Sequence, residues 1–329
     1  MISSIRFLLL VSMVVMFVPI AFGQTGNQRQ FDFWVGAWDV NLRVQQKDNS
    51  WKDQHKSTAH IYKILAGKAI LELWSENKDG INGYSLRYYN PNTDKWDLWL
   101  NWPGKNRSGT TGLTGSFRHG RGEFFAERKI DERTTQIRRY TFSDATPTSL
   151  RWDDAYSTDG GKTWSSNWIM EFSRRAGKAP GIEKEKNLLT YFEGNRCDLP
   201  EFDVLRKIIN TSWAEGHTRY FNVLDGCMII GFLGEDDHFF TLTYNTYAST
   251  YEFTLLGKDP SAPLSIYYGS KDDGGLSLKT RKKDGRSDTA ELSIGGDGYL
   301  WAYGITYNGG AINVNENRTG NTGIRSTVR

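Results

Sequence analysis

Hydrophobic positions in this chain recur at every second residue far more often than at helical spacing. Trp38, Val40, Leu42 and Val44 alternate with Ala37, Asp39, Asn41 and Arg43, the period of a strand with one buried face. Trp96, Leu98, Leu100 and Trp102 repeat the pattern between the turn-forming stretches "NPNTD" and "PGKN". The second half continues it in "FFTLTYN", "YEFTLL", "LSIYYG", "LSLKTR", "AELSI" and "YLWAYGITY". The best helical pattern is "LPEFDVLRKII", with Pro200 at a first helical position and Phe202, Leu205, Ile208 and Ile209 at helical spacing. Short strands with a turn signal every ~8 to 12 residues predict an all-β protein whose antiparallel sheets close as barrels or pack as sandwiches.

The first residues break this pattern. In "MISSIRFLLLVSMVVMFVPIAFGQ" a lone charge at Arg6 precedes an apolar run that ends in the small residues Ala21 and Gly23. That order predicts a signal peptide over residues 1–23 and a secreted or periplasmic location. The run is near the ~20 residues of a membrane helix, so a single span is the alternative; after signal removal no stable span is expected. "AGKAPGIEKEKNLL" is polar and Gly/Pro-containing and places a linker at 176–197, while 312–329 has little to bury and reads as a flexible tail. The remaining length suits two domains, at 28–175 and 198–311.

These two stretches share ordered anchors. "ILAGKAILE" (64–72) resembles "VLDGCMIIG" (223–231), "QFDFW" (30–34) resembles "EFDVL" (201–205), "RYYN" (87–90) resembles "LTYN" (242–245), and "WDLWL" (96–100) parallels "YEFTL" (251–255). Four matches in one order predict an internal repeat.

"GAW" at 36–38 sits where lipocalins and their calycin relatives carry a Gly-x-Trp at the start of the first barrel strand. "FDFWVGAWDV", "LAGKAILELW", "SLRYYNPNTDKWDLWLNWPG", and "STDGGKTW" followed by "FSRR" occur in the order of a family of exported bacterial proteins with the DUF1579 type of calycin-like barrel, which residues 31–175 resemble. The resemblance implies two tandem antiparallel calycin-like β-barrels, the second degenerate: Ile209 falls at the position of Trp38, and Trp96 and Trp99 become Tyr251 and Thr254. It also implies that a late-strand Arg, here Arg174 or Arg175, packs on Trp38.

Composition narrows function mainly by exclusion. A formal net charge of +3 on 41 basic and 38 acidic residues gives no nucleic-acid signal. Cys197 and Cys227 form no metal motif, the five His are scattered, and no phosphate loop or Gly-x-Ser-x-Gly is present. No metal or cofactor is therefore predicted. The two Cys can pair in an oxidising compartment or remain buried thiols.

Ten of the twelve Trp lie at or before Trp168, which puts any ligand site in the first barrel. Its candidates are Trp38, Trp74, Tyr88, Trp96 and Trp99 for apolar contact, Glu72 and Arg87 for polar groups, and Arg174 over Trp38. The favoured function is a binding module for a small, partly apolar molecule. A hydrolase or isomerase using a carboxylate such as Glu72, and a carbohydrate-binding module with exposed Trp faces, are the alternatives. "STDGGKTW" also matches a single Asp-box, read as a structural hairpin turn.

Overall fold

Alternation becomes ten consecutive strands between Gly36 and Arg174. In the computed structural model these are β1 (Gly36–Gln45), β2 (Trp51–Ile64), β3 (Ala69–Ser75), β4 (Gly83–Asn90), β5 (Lys95–Asn101), β6 (Thr111–Arg118), β7 (Arg121–Lys129), β8 (Thr135–Ser143), β9 (Ser149–Ser157) and β10 (Ser165–Arg174). The structure describes residues 26–76, 81–177, 182, 197–205, 218–223, 226–233, 237–272, 275–280, 289–294, 300–303, 312–315 and 325–328. The expected signal peptide and most of the expected linker lie outside them.

Each strand pairs antiparallel with its chain neighbour, and β1 pairs with β10, with Trp38 opposite Arg174 and Val40 opposite Phe172. The result is a closed barrel without an edge, so every backbone ladder is satisfied. Its interior holds Trp38, Val40, Leu42, Ile70, Trp74, Leu98, Phe124 and Trp152 among other apolar side chains. β3 and β4 break simple alternation: every residue from Ala69 to Trp74 and from Gly83 to Tyr88 is buried. One face points into the barrel and the other is covered by the second half of the chain, so both faces lose water.

That second half is β11 (Thr218–Val223), β12 (Met228–Leu233), β13 (His238–Asn245), β14 (Thr250–Gly257), β15 (Ser265–Asp272), β16 (Gly275–Lys279), β17 (Thr289–Ile294) and β18 (Leu300–Tyr303). The sequence predicts a second barrel here, and the described residues instead form an open eight-stranded meander. Closure requires two edge strands in mutual register; among the described residues β11 pairs with β12 alone and β18 with β17 alone. In the tail, β19 (Ile312–Asn315) and β20 (Arg325–Val328) pair as a separate ribbon.

The helical pattern around Pro200 is realised as a 3₁₀ turn, Pro200–Phe202, running into a short helical stretch described as far as Leu205. Phe202 is fully buried and stacks edge-on to Tyr244. Just before it, Cys197 forms a disulfide with Cys227 at the start of the β12 hairpin. The "STDGGKTW" stretch is the expected hairpin turn: Asp159 accepts the backbone N–H groups of Lys162 and Thr163, and Gly160 and Gly161 take positive φ.

Two glycines allow close strand approach. A Cβ on Gly115 would lie 1.9 Å from the Glu123 carbonyl oxygen, and one on Gly269 would lie 1.8 Å from that of Ser277. Backbone cannot yield as a side chain can, so Gly115→Ala is expected to destabilise the protein by on the order of 1–3 kcal/mol. Urea unfolding followed by Trp fluorescence measures this, with Gly26→Ala as the control, since a Cβ there meets nothing nearer than 4.0 Å and the backbone φ is −47°.

Candidate functional site

One end of the barrel is closed by the chain that enters it. Phe31 and the 3₁₀ turn Asp32–Trp34 lie across the opening, with Phe31 and Trp34 buried. The Phe31 ring meets Trp96 at 4.9 Å, Phe117 at 4.8 Å and Phe142 at 5.2 Å, all edge-on, the geometry that aromatic quadrupoles favour. The plug is tied down by polar contacts as well. The Trp38 indole donates to the Trp34 carbonyl at 2.8 Å, and the Arg174 guanidinium lies 4.1 Å above the Trp38 ring. Arg174 also donates to the carbonyls of Phe33, Val35 and Pro147. The contact anticipated for Arg174 is therefore present, and its work is to staple the plug to the first and last strands.

Above this floor sits a buried polar group. Glu72 and Ser85 are direct cross-strand partners on β3 and β4, and Arg87 lies two residues from Ser85 on the same inward face. The Ser85 hydroxyl donates to Glu72 Oε2 at 2.5 Å. Arg87 Nη2 donates to Glu72 Oε2 at 3.1 Å and to Ser85 Oγ at 2.8 Å. The guanidinium is stacked 3.6 Å from the Trp34 ring centre and also faces Phe31 and Phe142. Burial outweighs the opposing pull of Glu72 and brings the Arg87 pKa down to about 10, so Arg87 is charged at neutral pH.

This group is not internally complete. Glu72 Oε1, Arg87 Nε and Nη1 and the Trp34 indole nitrogen are buried with no hydrogen-bond partner. Further along the interior, Ser57 Oγ and the indole nitrogens of Trp74 and Trp168 are in the same condition. Buried unpaired polar atoms each cost roughly 1–3 kcal/mol, so several in one interior call for an explanation.

The far end of the barrel carries a second polar group that the sequence did not suggest. Arg138 donates twice to Asp154, at 2.8 and 2.6 Å, and Asn167 adds a bond to Asp154 at 3.0 Å. Burial opposes the charge on Arg138, but the bonds to Asp154 outweigh it and raise its pKa. Aromatic rings line this end: Tyr140 meets Trp152, Trp152 meets Trp168, and Trp74 meets Trp102. Asp154 is buried while the Arg138 side chain is 38% exposed, so the pair spans from interior to surface.

Of the predicted residues, Trp38, Trp74, Trp96, Glu72 and Arg87 share the barrel interior. Tyr88 and Trp99 do not join them. They occupy the outward faces of β4 and β5, where they pack into the core shared with the second half. Arg174 stands at the plugged end, outside the polar group. A cleft of about 460 Å³, outside the barrel and lined by Arg29, Asp32, Lys63, Lys68 and Lys258 among others, has its cations already matched. Arg29 and Lys63 bind Asp32, Lys258 binds Asp237, and Lys68 donates to three backbone carbonyls. Among the described residues no His/Cys/Asp/Glu group is arranged to hold a metal.

The chain matches no family model and no curated protein. It is similar to several solved structures. The S-type phycobiliprotein lyase CPES of Guillardia theta aligns at 14% identity over 47% of this chain and 96% of the other, with a TM-score of 0.31. The structure of EF1p2_mFAP2b bound to DFHBI aligns at 13% identity over 46% and 100%, with a TM-score of 0.24. A transferrin-binding protein B double mutant from Haemophilus parasuis aligns at 7% identity over 80% and 69%, with a TM-score of 0.17.

Two stability measurements follow from the interior. Arg87→Met alone leaves the buried Glu72 carboxyl without its ion-pair partner and should cost roughly 3–5 kcal/mol, whereas Glu72→Met with Arg87→Met should be near neutral or stabilising. Arg174→Lys keeps the charge but loses the planar fork that serves three carbonyls, and should cost on the order of 1–3 kcal/mol. Denaturant midpoints of the three variants against wild type check both.

Proposed function

We propose that the protein binds a small, partly apolar molecule inside the first barrel, with a polar group of that molecule meeting Glu72 and Arg87. The observation that supports this most directly is the buried Glu72–Ser85–Arg87 group with partnerless atoms facing an aromatic interior. A buried ion pair is a poor way to gain stability, and an apolar site with a few convergent polar groups is the usual form of a small-molecule site. The half-exposed Arg138–Asp154 pair and the rings near it suit the entrance of such a site.

The second half supplies an internal comparison, on the proposal that it is a diverged copy of the first. The registers of β3–β4–β5 and β12–β13–β14 coincide under the alignment of the sequence anchors: Leu73 opposite Tyr84 corresponds to Phe232 opposite Phe239, and Tyr89 opposite Trp96 to Tyr244 opposite Tyr251. On that alignment Glu72, Ser85 and Arg87 become Gly231, Phe240 and Leu242. The charges are replaced together by apolar residues or glycine. A copy free of the function would be expected to lose the polar group while the strand register persists, and that supports the reading although the second sheet is open.

We also propose that the protein works after export and belongs with the DUF1579-type barrels. Both rest on the amino-terminal segment and the four ordered motifs. Among the described residues no helix is long and apolar enough to cross a membrane.

Native mass spectrometry of the full chain purified from its host tests the binding reading. A small-molecule adduct is expected on the wild type, reduced at least tenfold in occupancy by the Glu72→Met/Arg87→Met pair. Absence of an adduct, together with a 1-anilinonaphthalene-8-sulfonate titration that the double variant leaves unchanged, would refute it.

A further inference from the structure

The outward face of β3, β4 and β5 is built of large apolar side chains: Leu71, Leu73, Tyr84, Leu86 and Tyr88 are buried there and Trp99 packs beside them. Water does not reach it because one face of β12, β13 and β14 lies against it, with Tyr84 and Phe239 in ring contact at 6.4 Å. These two residues hold the same position in the two registers, each facing the preceding strand at the same place. A residue that touches its own counterpart marks a local two-fold axis.

The contacts on either side of that point are reciprocal. Thr243, the counterpart of Tyr88, bonds Ser108 in the connection after β5 at 2.7 Å. Tyr88 in turn accepts a bond at 3.0 Å from the backbone N–H of Leu264, in the connection after β14. Asn101, at the end of β5, reaches Met228, at the start of β12; Lys68, just before β3, reaches the Gly257 carbonyl, at the end of β14. The paired glycines fit the same relation, since Gly115 lies opposite Trp96 and Gly269 opposite the corresponding Tyr251.

From this we infer that the β3–β5 face is a self-complementary pairing surface whose fitting partner is another copy of the same face, and that the second half of the chain is a partner supplied in cis. The inference rests on the reading of the second half as a diverged copy and is independent of any ligand. An isologous contact needs one surface to match itself about an axis, and the reciprocal pairs meet that condition although their side chains have diverged. The surface explains why a half without an interior polar group is retained: it keeps Leu71, Leu73, Tyr84 and Leu86 from water. It also holds the connection after β5, at the end opposite the plug, through Ser108 and Thr110, which bond Thr246 and Glu252.

The test starts from the folded full chain carrying an inserted specific protease site between residues 177 and 197. After cleavage the two parts are expected to remain associated one to one. On dilution and incubation they should exchange, giving a species with twice the mass of the barrel part by native mass spectrometry. Tyr84→Lys should suppress that species at least tenfold while reducing the one-to-one pair less, because only the homotypic pair brings two charges together at the axis. Parts that stay paired but never yield the barrel–barrel species would overturn the self-complementary surface and leave the diverged-copy reading standing. Parts that separate into monomers on cleavage would overturn the pairing surface altogether.

Discussion

Closure of the first sheet on itself, β1 against β10 through the Trp38–Arg174 pair, is the constraint on which the other features rest. Once the ring of strands is shut, each residue faces either inward or outward, and a shift of one position would exchange the two sets. Glu72, Ser85 and Arg87 are inside because their parity on β3 and β4 matches that of Trp74 and Ile70. Tyr88 and Trp99 are outside for the same reason. The plug and Arg174 then seal one end, leaving the end near Arg138 and Asp154 as the more open one.

Much of this was legible in the chain. Alternation at Trp38–Val44 and Trp96–Trp102 located strands that exist, Arg174 rather than Arg175 lies over Trp38, and Glu72 and Arg87 meet as an ion pair in the barrel interior. Parity within a single strand could be read, but parity between strands could not. That is why Tyr88 and Trp99 were grouped with residues of the opposite face, although Tyr88 is adjacent to Arg87 and must point the other way. The Arg138–Asp154 group was missed for a related reason: "QIRRY" and "RWDDAY" each offer two charged neighbours, and only the β8–β9 register selects Arg138 and Asp154 over Arg139 and Asp153. That the second sheet stays open among the described residues was not legible either, because closure depends on edge pairing that strand patterns do not encode.

The two halves show how one strand pattern can bear different interiors. Phe31 begins the 3₁₀ turn Asp32–Trp34 and Phe202 ends the 3₁₀ turn Pro200–Phe202, and Tyr89–Trp96 and Tyr244–Tyr251 are edge-on pairs at matching register positions. Under the proposed correspondence of the halves, Glu72, Ser85 and Arg87 inside the barrel hold positions that the second sheet fills with Gly231, Phe240 and Leu242. Packing alone would favour the second solution, since replacing buried charge by apolar volume is neutral or better. The first therefore carries a cost, which the proposed binding would offset.

The most direct measurement is a high-resolution crystal structure of the full chain purified from its host without denaturation. Density for a non-protein molecule is expected in the first barrel, with a polar atom within hydrogen-bond distance of Arg87 Nε, Arg87 Nη1 or Glu72 Oε1, and none is expected against the second sheet. A first barrel whose Glu72 and Arg87 atoms are satisfied entirely by ordered water and neighbouring side chains would contradict the binding reading.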